Sequence, residues 1–334
     1  PKKGLILMPC ELIFLNGHHL KACIRQYIEL WKEDLGADYE GFKEWFEKYN
    51  YVCATLVDRI VPGFPRKDIA AIQEKVGYND NLVVQAEIFH LWVIEKPENM
   101  SIEELEAEFP ANQAGLNVLI AESEKPYHER KVTLLNGPHT VLSPVTHLSG
   151  CNIVRDACNH EVLGKHINQV MFEELLETLN LPKDELKAYG ESVLERFNNP
   201  YVDHAVTSIM LNSFPKFETR DLPGLKVYLE RKGELPKGLV LGLAAIITYY
   251  KGGVREDGAP IQPNDAQEIM DLLAQLWATN DTHKVAEGVL GATEIIWKES
   301  KQNLNEIPGL TAMVEGFLND IQAKGMLETV KSIL

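Results

Sequence analysis

From about residue 126 onward the chain reads as one helical segment after another, and this bounds the fold more tightly than any other feature. Apolar residues recur at helical spacing through candidate helices over 129–147, 149–161, 165–179, 183–197, 200–212, 217–232, 237–251, 263–279, 281–299 and 309–333. Asn, Asp, Gly and Pro punctuate them. KVYLERKGELPKG, for example, ends one helix at Gly233 and restarts another near Pro236.

The earlier residues follow a different pattern. GLILMPCELI is a short apolar run suited to a strand buried on both faces. NGHHLKACIRQYIELWKEDL has helical periodicity, with Leu20, Cys23, Ile24 and Ile28 on one stripe. VCATLVDRIVPG, NLVVQAEIFHLWVIE and GLNVLIAE read as further strands. Ser101 and Glu104 have capping-box spacing and open a short helix. The change falls near EKPYHERK, which is charged and contains Pro126. The pattern predicts an α+β chain that is mainly helical, with a mixed segment over 1–126 and an all-α segment over 127–334.

Charge and cysteine usage narrow the function. The net charge of −16 argues against nucleic acid, because binding a phosphate backbone needs surplus Lys and Arg. No apolar run approaches the ~20 residues of a membrane span. The five cysteines include no CxxC, which suggests reduced thiols in a cytoplasm. Cys151, Cys158 and His160 lie close together in CNIVRDACNH, but no second ligand pair follows at zinc spacing, so no metal is expected. Neither a GxGxxG turn nor a Walker loop occurs. The chain opens inside an apolar strand and reads like the back half of a nucleotide-binding sheet. On that reading it should bind a dinucleotide poorly by itself and turn over little.

Four stretches could carry chemistry. KVTLLNGPHT places Lys131, Asn136 and His139 at offsets 0, +5 and +8. On an ideal α-helix these offsets lie about 140° and 80° round from the lysine, so the groups can share one broad face. Pro138 would clash with the carbonyl of Leu134 in a straight helix. The helix should therefore kink at Gly137-Pro138, or a new one should start with Pro138 in its first turn. In PCELIFLNG, Asn16 stands at a strand-to-helix turn, either as a cap or facing a ligand. LVDRIVPG puts Asp58 and Arg59 at the end of a strand, where charges need partners. In RFNNPYVDHAVTSIMLNSFPKFETR, His204 and Ser208 share a helical face that Asn212 extends, and Lys216 and Arg220 add positive charge. Each stretch also has a plain alternative: a solvated lysine, a cap, a surface ion pair or a core histidine. A non-catalytic helical binding module remains open on spacing alone.

In this order and spacing, the four stretches resemble the polyol-specific long-chain dehydrogenases of the mannitol type. ELPKGLVLGLAAIITYY adds to the likeness, which covers nearly the whole chain and is closest to the sugar-acid members. The resemblance implies the C-terminal part of a Rossmann-type domain followed by an all-α substrate domain of the 6-phosphogluconate dehydrogenase C-terminal kind. It implies metal-independent, NAD-linked oxidation and reduction at a secondary alcohol, with a small sugar acid as substrate. Lys131 would be the general acid/base. Asn136 and Asn16 would polarise the substrate oxygen, and His139 would position the hydroxyl. Asp58 would contact substrate, and His204 and Lys216 would lie in the segment that closes the pocket. The carboxylate of a sugar acid needs a cation, for which Arg59, Lys216 and Arg220 are the candidates. The chemistry suits these groups: fixed amide donors stabilise charge on a carbonyl oxygen, and a lysine can hold and release the proton. Three residues before the lysine the mannitol-type enzymes carry a glutamate; here that position is His128, with Glu129 beside it. Phe14 and Leu15 stand before Asn16, where relatives often carry polar residues.

Overall fold

The computed structural model describes residues 3–61, 63–255 and 257–334. The chain forms two compact units, one up to Glu129 and one from Arg130 to Leu334.

In the first unit, β1 (Ile6–Leu7) leads through a turn into α1 (Asn16–Leu30) and α2 (Tyr39–Tyr49). β2 (Tyr51–Val52) pairs with β1 in parallel, and β3 (Ala54–Asp58) continues the same direction after Cys53. After α3 (Ile69–Val76) comes β4 (Leu91–Glu95), antiparallel to β3 with Leu56 opposite Val93. α4 (Ile102–Glu108) then returns the chain to β5 (Val118–Ala121), parallel to β4. Successive strand residues point to opposite faces, and both faces are covered. Ile94 and Ile120 pack with Cys53 and Leu105, while Leu56, Val93 and Ala121 form a second cluster. α4 opens with the expected capping box: Ser101 Oγ accepts the Glu104 N–H at 3.1 Å, and the Glu104 carboxylate accepts the Ser101 N–H at 2.8 Å.

The strand expected over 81–95 shrinks to Leu91–Glu95. Leu82 and Ile88 remain 87% and 94% exposed, so the preceding stretch has no sheet face on which to bury its apolar alternation. It is held instead by Glu87, whose carboxylate accepts the Ile60 N–H at 2.5 Å and whose N–H donates to the Ile60 carbonyl at 3.1 Å.

The second unit is helical around a single large core. A helical run opens with α5 (Lys125–Lys131), widens into a π-turn over Val132–Asn136 and continues as α6 (Gly137–Leu148). α7 (Glu161–Asn168), α8 (Lys183–Phe197), α9 (Ser213–Arg220), α10 (Leu222–Lys232) and α11 (Lys237–Tyr249) follow. α6 is buried from Gly137 to His147, and α11 is apolar nearly all round, as a helix enclosed by others must be. The two cross so closely that a Cβ at Gly242 would lie 2.4 Å from the Cβ of Val141. The N-terminus of α11 has no side-chain cap of its own. Glu174 supplies one, accepting the Gly238 and Leu239 N–H groups at 2.7 and 2.9 Å. α12 (Gln267–Ala278), α13 (Thr282–Leu290) and α14 (Leu310–Lys324) follow, with α14 against both α13 and α11. Among the described residues, no helix is long and apolar enough to cross a membrane.

Several helix expectations need correction: the one over 149–161 shrinks to Val154–Asn159, and the one over 281–299 ends at Leu290. The helix expected over 200–212 is only Val206–Ile209, because Ala205 bridges Ile153 and the His204 carbonyl accepts the Val154 N–H at 3.0 Å. These pairings keep the backbone extended up to Ala205, so His204 and Ser208 do not share a helix face. Asn212 adopts left-handed φ of 53° and precedes α9 instead of extending a helix. The helix expected over 217–232 is divided at Asp221 into α9 and α10, with Pro223 in the first turn of the second.

Candidate active site

The damaged-helix stretch resolves into a π-turn. The Gly137 N–H donates to the carbonyl of Val132, five residues back. The wider turn absorbs the clash that Pro138 would cause in a straight α-helix, and Pro138 falls in the first turn of α6. It also changes which residues align. A turn closed between i and i+5 stacks residues five apart, so Lys131 and Asn136 come to the same side of the run, where an α-helix would separate them by about 140°. Both are half-buried. Gly137 is required where the run passes Asp221: a Cβ there would lie 2.9 Å from Asp221 Oδ1 and 3.2 Å from Leu175 Cδ1.

One turn on, His139 is 5% exposed, with its ring 3.9 Å from that of Phe197 and 5.2 Å from that of His204. Burial holds its imidazole well below the usual histidine range, and the nearby His204, Arg220 and Arg196 push the same way. The ring is therefore neutral at physiological pH, and its Nε2 has no hydrogen-bond partner among the described residues. Burial also lowers His204. The Thr140 hydroxyl donates to the Asn136 carbonyl at 2.9 Å and accepts from Arg220 Nη1 at 3.2 Å. Lys216 lies near enough to Arg220 to feel its charge. Burial and then Arg220 lower its ammonium, and Nζ donates to the Ile209 carbonyl at 2.7 Å. The second unit thus gathers His139, His204, Lys216 and Arg220 next to the Lys131–Asn136 turn.

In the first unit the expectation for Asn16 is corrected. Its carboxamide oxygen accepts the Thr55 N–H at 2.9 Å, and its Nδ2 lies 3.0 to 3.1 Å from the carbonyls of Thr55, Pro9 and Glu11. The amide is 3% exposed and committed to the backbone: it clamps the turn after β1 onto β3 and presents no free donor to a substrate. Nor does it cap α1, whose first helical residue it is. The preceding residue, Leu15, is held at left-handed φ of 53°, and its N–H reaches Glu124 Oε1 at 3.4 Å. Phe14 packs its ring 4.4 Å from His128. Asp58 is buried at the end of β3. Arg59 is exposed, and its Nε donates to the Glu87 carbonyl at 2.9 Å.

The cysteine-histidine stretch has a structural use. His160 Nδ1 accepts the Val162 and Leu163 N–H groups and caps α7. Burial pushes the Cys158 thiol up to about 12. Among the described residues, no three His, Cys, Asp or Glu side chains are grouped to hold a metal ion.

Sequence reasoning passed over Thr140, Arg196 and Asp221. Each lies at the edge of a quoted motif, and only long-range packing brings it to the cluster. Asp221 is 0% exposed, and neither carboxylate oxygen has a hydrogen-bond partner among the described residues. Burial raises its carboxyl well above the usual range, against the pull of Arg220. A folded-state value above the unfolded one gives a stability contribution that is present at low pH and lost as pH rises. Asp221→Asn keeps the shape and removes the charge. We expect it to be more stable than wild type near pH 8 by on the order of 1–3 kcal/mol, with the advantage shrinking as pH falls. Thermal unfolding across a pH series checks this, and a variant less stable than wild type at high pH would refute it.

The comparisons with known proteins agree with this architecture. Residues 124–322 match the mannitol dehydrogenase C-terminal domain, and residues 1–108 match the mannitol dehydrogenase Rossmann domain. An altronate oxidoreductase from Phocaeicola vulgatus is 74% identical over 99% of this chain, which spans 66% of that relative's length. One from Escherichia coli is 38% identical over the same share. A Pseudomonas fluorescens mannitol 2-dehydrogenase, solved as a ternary complex with NAD and D-mannitol, superposes with a TM-score of 0.73 at 21% identity, covering 99% of this chain and 62% of that one. A D-sorbitol dehydrogenase in substrate-free form superposes at 0.77 and 20% identity, covering 98% and 63%. With one domain match running through most of the helical core and the other through most of the strand-bearing unit, the chain belongs to the mannitol dehydrogenase family.

Proposed function

We propose that this chain carries the substrate site of an NAD-linked oxidoreductase that interconverts D-tagaturonate and D-altronate. The observation that supports it most is the π-turn, which stacks Lys131 and Asn136 on one side, beside a buried neutral His139 and a cluster of cations. The identity to altronate oxidoreductases points the same way.

The reaction needs a proton and a fixed donor at one oxygen. Lys131 gives its ammonium proton to the ketone oxygen as the carbon is reduced, and takes the hydroxyl proton in the reverse direction. The Asn136 carboxamide donates a hydrogen bond to the same oxygen, where negative charge develops. Neutral His139 can offer a donor or acceptor to a substrate hydroxyl without adding charge. The hydride is the contribution of NADH. No GxGxxG turn occurs in the sequence, and the glycine after β1, Gly17, packs against the Cys53 carbonyl.

NADH consumption by the intact protein with D-tagaturonate and with D-fructose tests the reading. D-tagaturonate should be favoured by at least about 100-fold in kcat/KM, as expected when a site built around a polar group meets an analogue lacking it. A preference for D-fructose would replace this assignment with a neutral-polyol enzyme.

A further inference from the structure

The carboxylate of a hexuronate needs a cation, and three are candidates: Arg59, Lys216 and Arg220. Each makes one hydrogen bond among the described residues, and Arg59 is exposed. Arg59 donates to the Glu87 carbonyl, and Lys216 to the Ile209 carbonyl. Arg220 is half-buried, and among the described residues its hydrogen bond is to Thr140 Oγ1. Among the described residues it makes no ion pair, in a chain with 49 acidic residues against 33 basic ones. Its sequence neighbour Asp221 attracts it but does not hydrogen-bond to it. A guanidinium stays charged in a protein and carries five donors, so most of this fork lacks an acceptor of its own. The cost of partial burial falls on the charged form, and an anion placed on the fork would offset it. Thr140 fixes where the fork sits, because its own hydroxyl is anchored to the carbonyl of Asn136. A second unsatisfied group lies beside it: Nε2 of His139, on a ring that is 5% exposed.

We propose that Arg220, oriented by Thr140, binds the substrate carboxylate and makes this site selective for sugar acids over neutral sugars. The inference rests on the hexuronate reading above and adds the residue responsible. An arginine fork takes a carboxylate through two parallel bonds, which fixes the direction in which the sugar chain leaves it. The relay from Arg220 through Thr140 to the Asn136 carbonyl then ties the acid end of the substrate to the turn that carries Lys131. Distance along the sugar from carboxylate to ketone thereby becomes a selected quantity.

Steady-state kinetics with D-tagaturonate on the intact protein tests it. Arg220→Gln should raise KM about 10- to 100-fold, the range of a lost charge-assisted hydrogen bond, with kcat within about threefold of wild type. Arg220→Lys should recover part of the loss, since it restores charge without the fork. The rise should exceed that of Lys216→Gln or Arg59→Gln. If Arg220→Gln does not fold, Thr140→Val, which removes the anchor, should raise KM in the same direction. An unchanged KM, a fall in kcat alone, or a larger effect from either of the other two cations would overturn the assignment of Arg220. Those outcomes leave the hexuronate reading standing, whereas a wild-type protein that ignores hexuronates would remove both.

Discussion

Lys131→Ala is expected to lower kcat/KM of the intact protein by at least about 100-fold for D-tagaturonate, the usual scale for removing a positioned general acid/base. The fall should appear in kcat, because proton transfer belongs to the transition state and contributes little to ground-state binding. Stability should hardly change: the residue is half-buried at the last position of α5, where alanine is a good helix former. Unfolding midpoints within about 0.5 kcal/mol of wild type would separate chemistry from folding. An added primary amine should restore part of the rate if the proton carrier is what was lost. A turnover near wild type would reduce the site to a helical binding module and discard the mechanism. Asn136→Ala should share the kcat effect, since in the proposed mechanism both groups act on one oxygen.

The second large effect is structural. Gly17→Ala should destabilise the first unit by about 3 kcal/mol or more, at the upper end of what overpacking does. A Cβ at Gly17 would lie 2.0 Å from the carbonyl oxygen of Cys53 and 2.7 Å from the Ala54 nitrogen. Both are backbone atoms where β2 passes into β3, so no side chain can swing aside. Moving α1 away would also stretch the Asn16 clamp, which holds Thr55 at 2.9 and 3.0 Å. Gly41→Ala is the matching control. It lies within α2 with open space at its Cβ, so it should stabilise by about 0.5–1 kcal/mol. Hydrogen exchange reads each unit separately: Gly17→Ala should speed exchange in β2, β3 and α1 while leaving α6 and α11 protected. Equal protection in the two glycine variants would show that α1 can shift, and the packing argument would fail.

Much of the chain was legible in its residues because the relevant interactions are local. The Ser101–Glu104 box spans one helical turn, and both of its bonds form. The change from mixed to all-helical patterning near residue 126 is a change of period that any window detects. Lys131, Asn136 and His139 could be singled out from their spacing and from the damage that Gly137-Pro138 does to a helix. The motif also carried the family, and the domain matches support it.

Other features were decided by partners far away in sequence. A π-turn differs from an α-turn by one residue, too little for periodicity to register, yet it decides whether Lys131 and Asn136 align. Asn16 looked equally like a cap or a ligand; Thr55, 39 residues on, made it a clamp. The helix expected over 200–212 lost to a bridge between Ile153 and Ala205. Arg220 stood as one cation among three until Thr140, 80 residues away, fixed it beside the Lys131–Asn136 turn. Sequence by itself determined the mainly helical second segment, the strand-bearing first segment and the polar triad, since these rest on propensity and pattern within a few residues. Tertiary structure decided which polar groups are satisfied and which are left for a ligand, because burial and long-range hydrogen bonds exist only once the chain has packed.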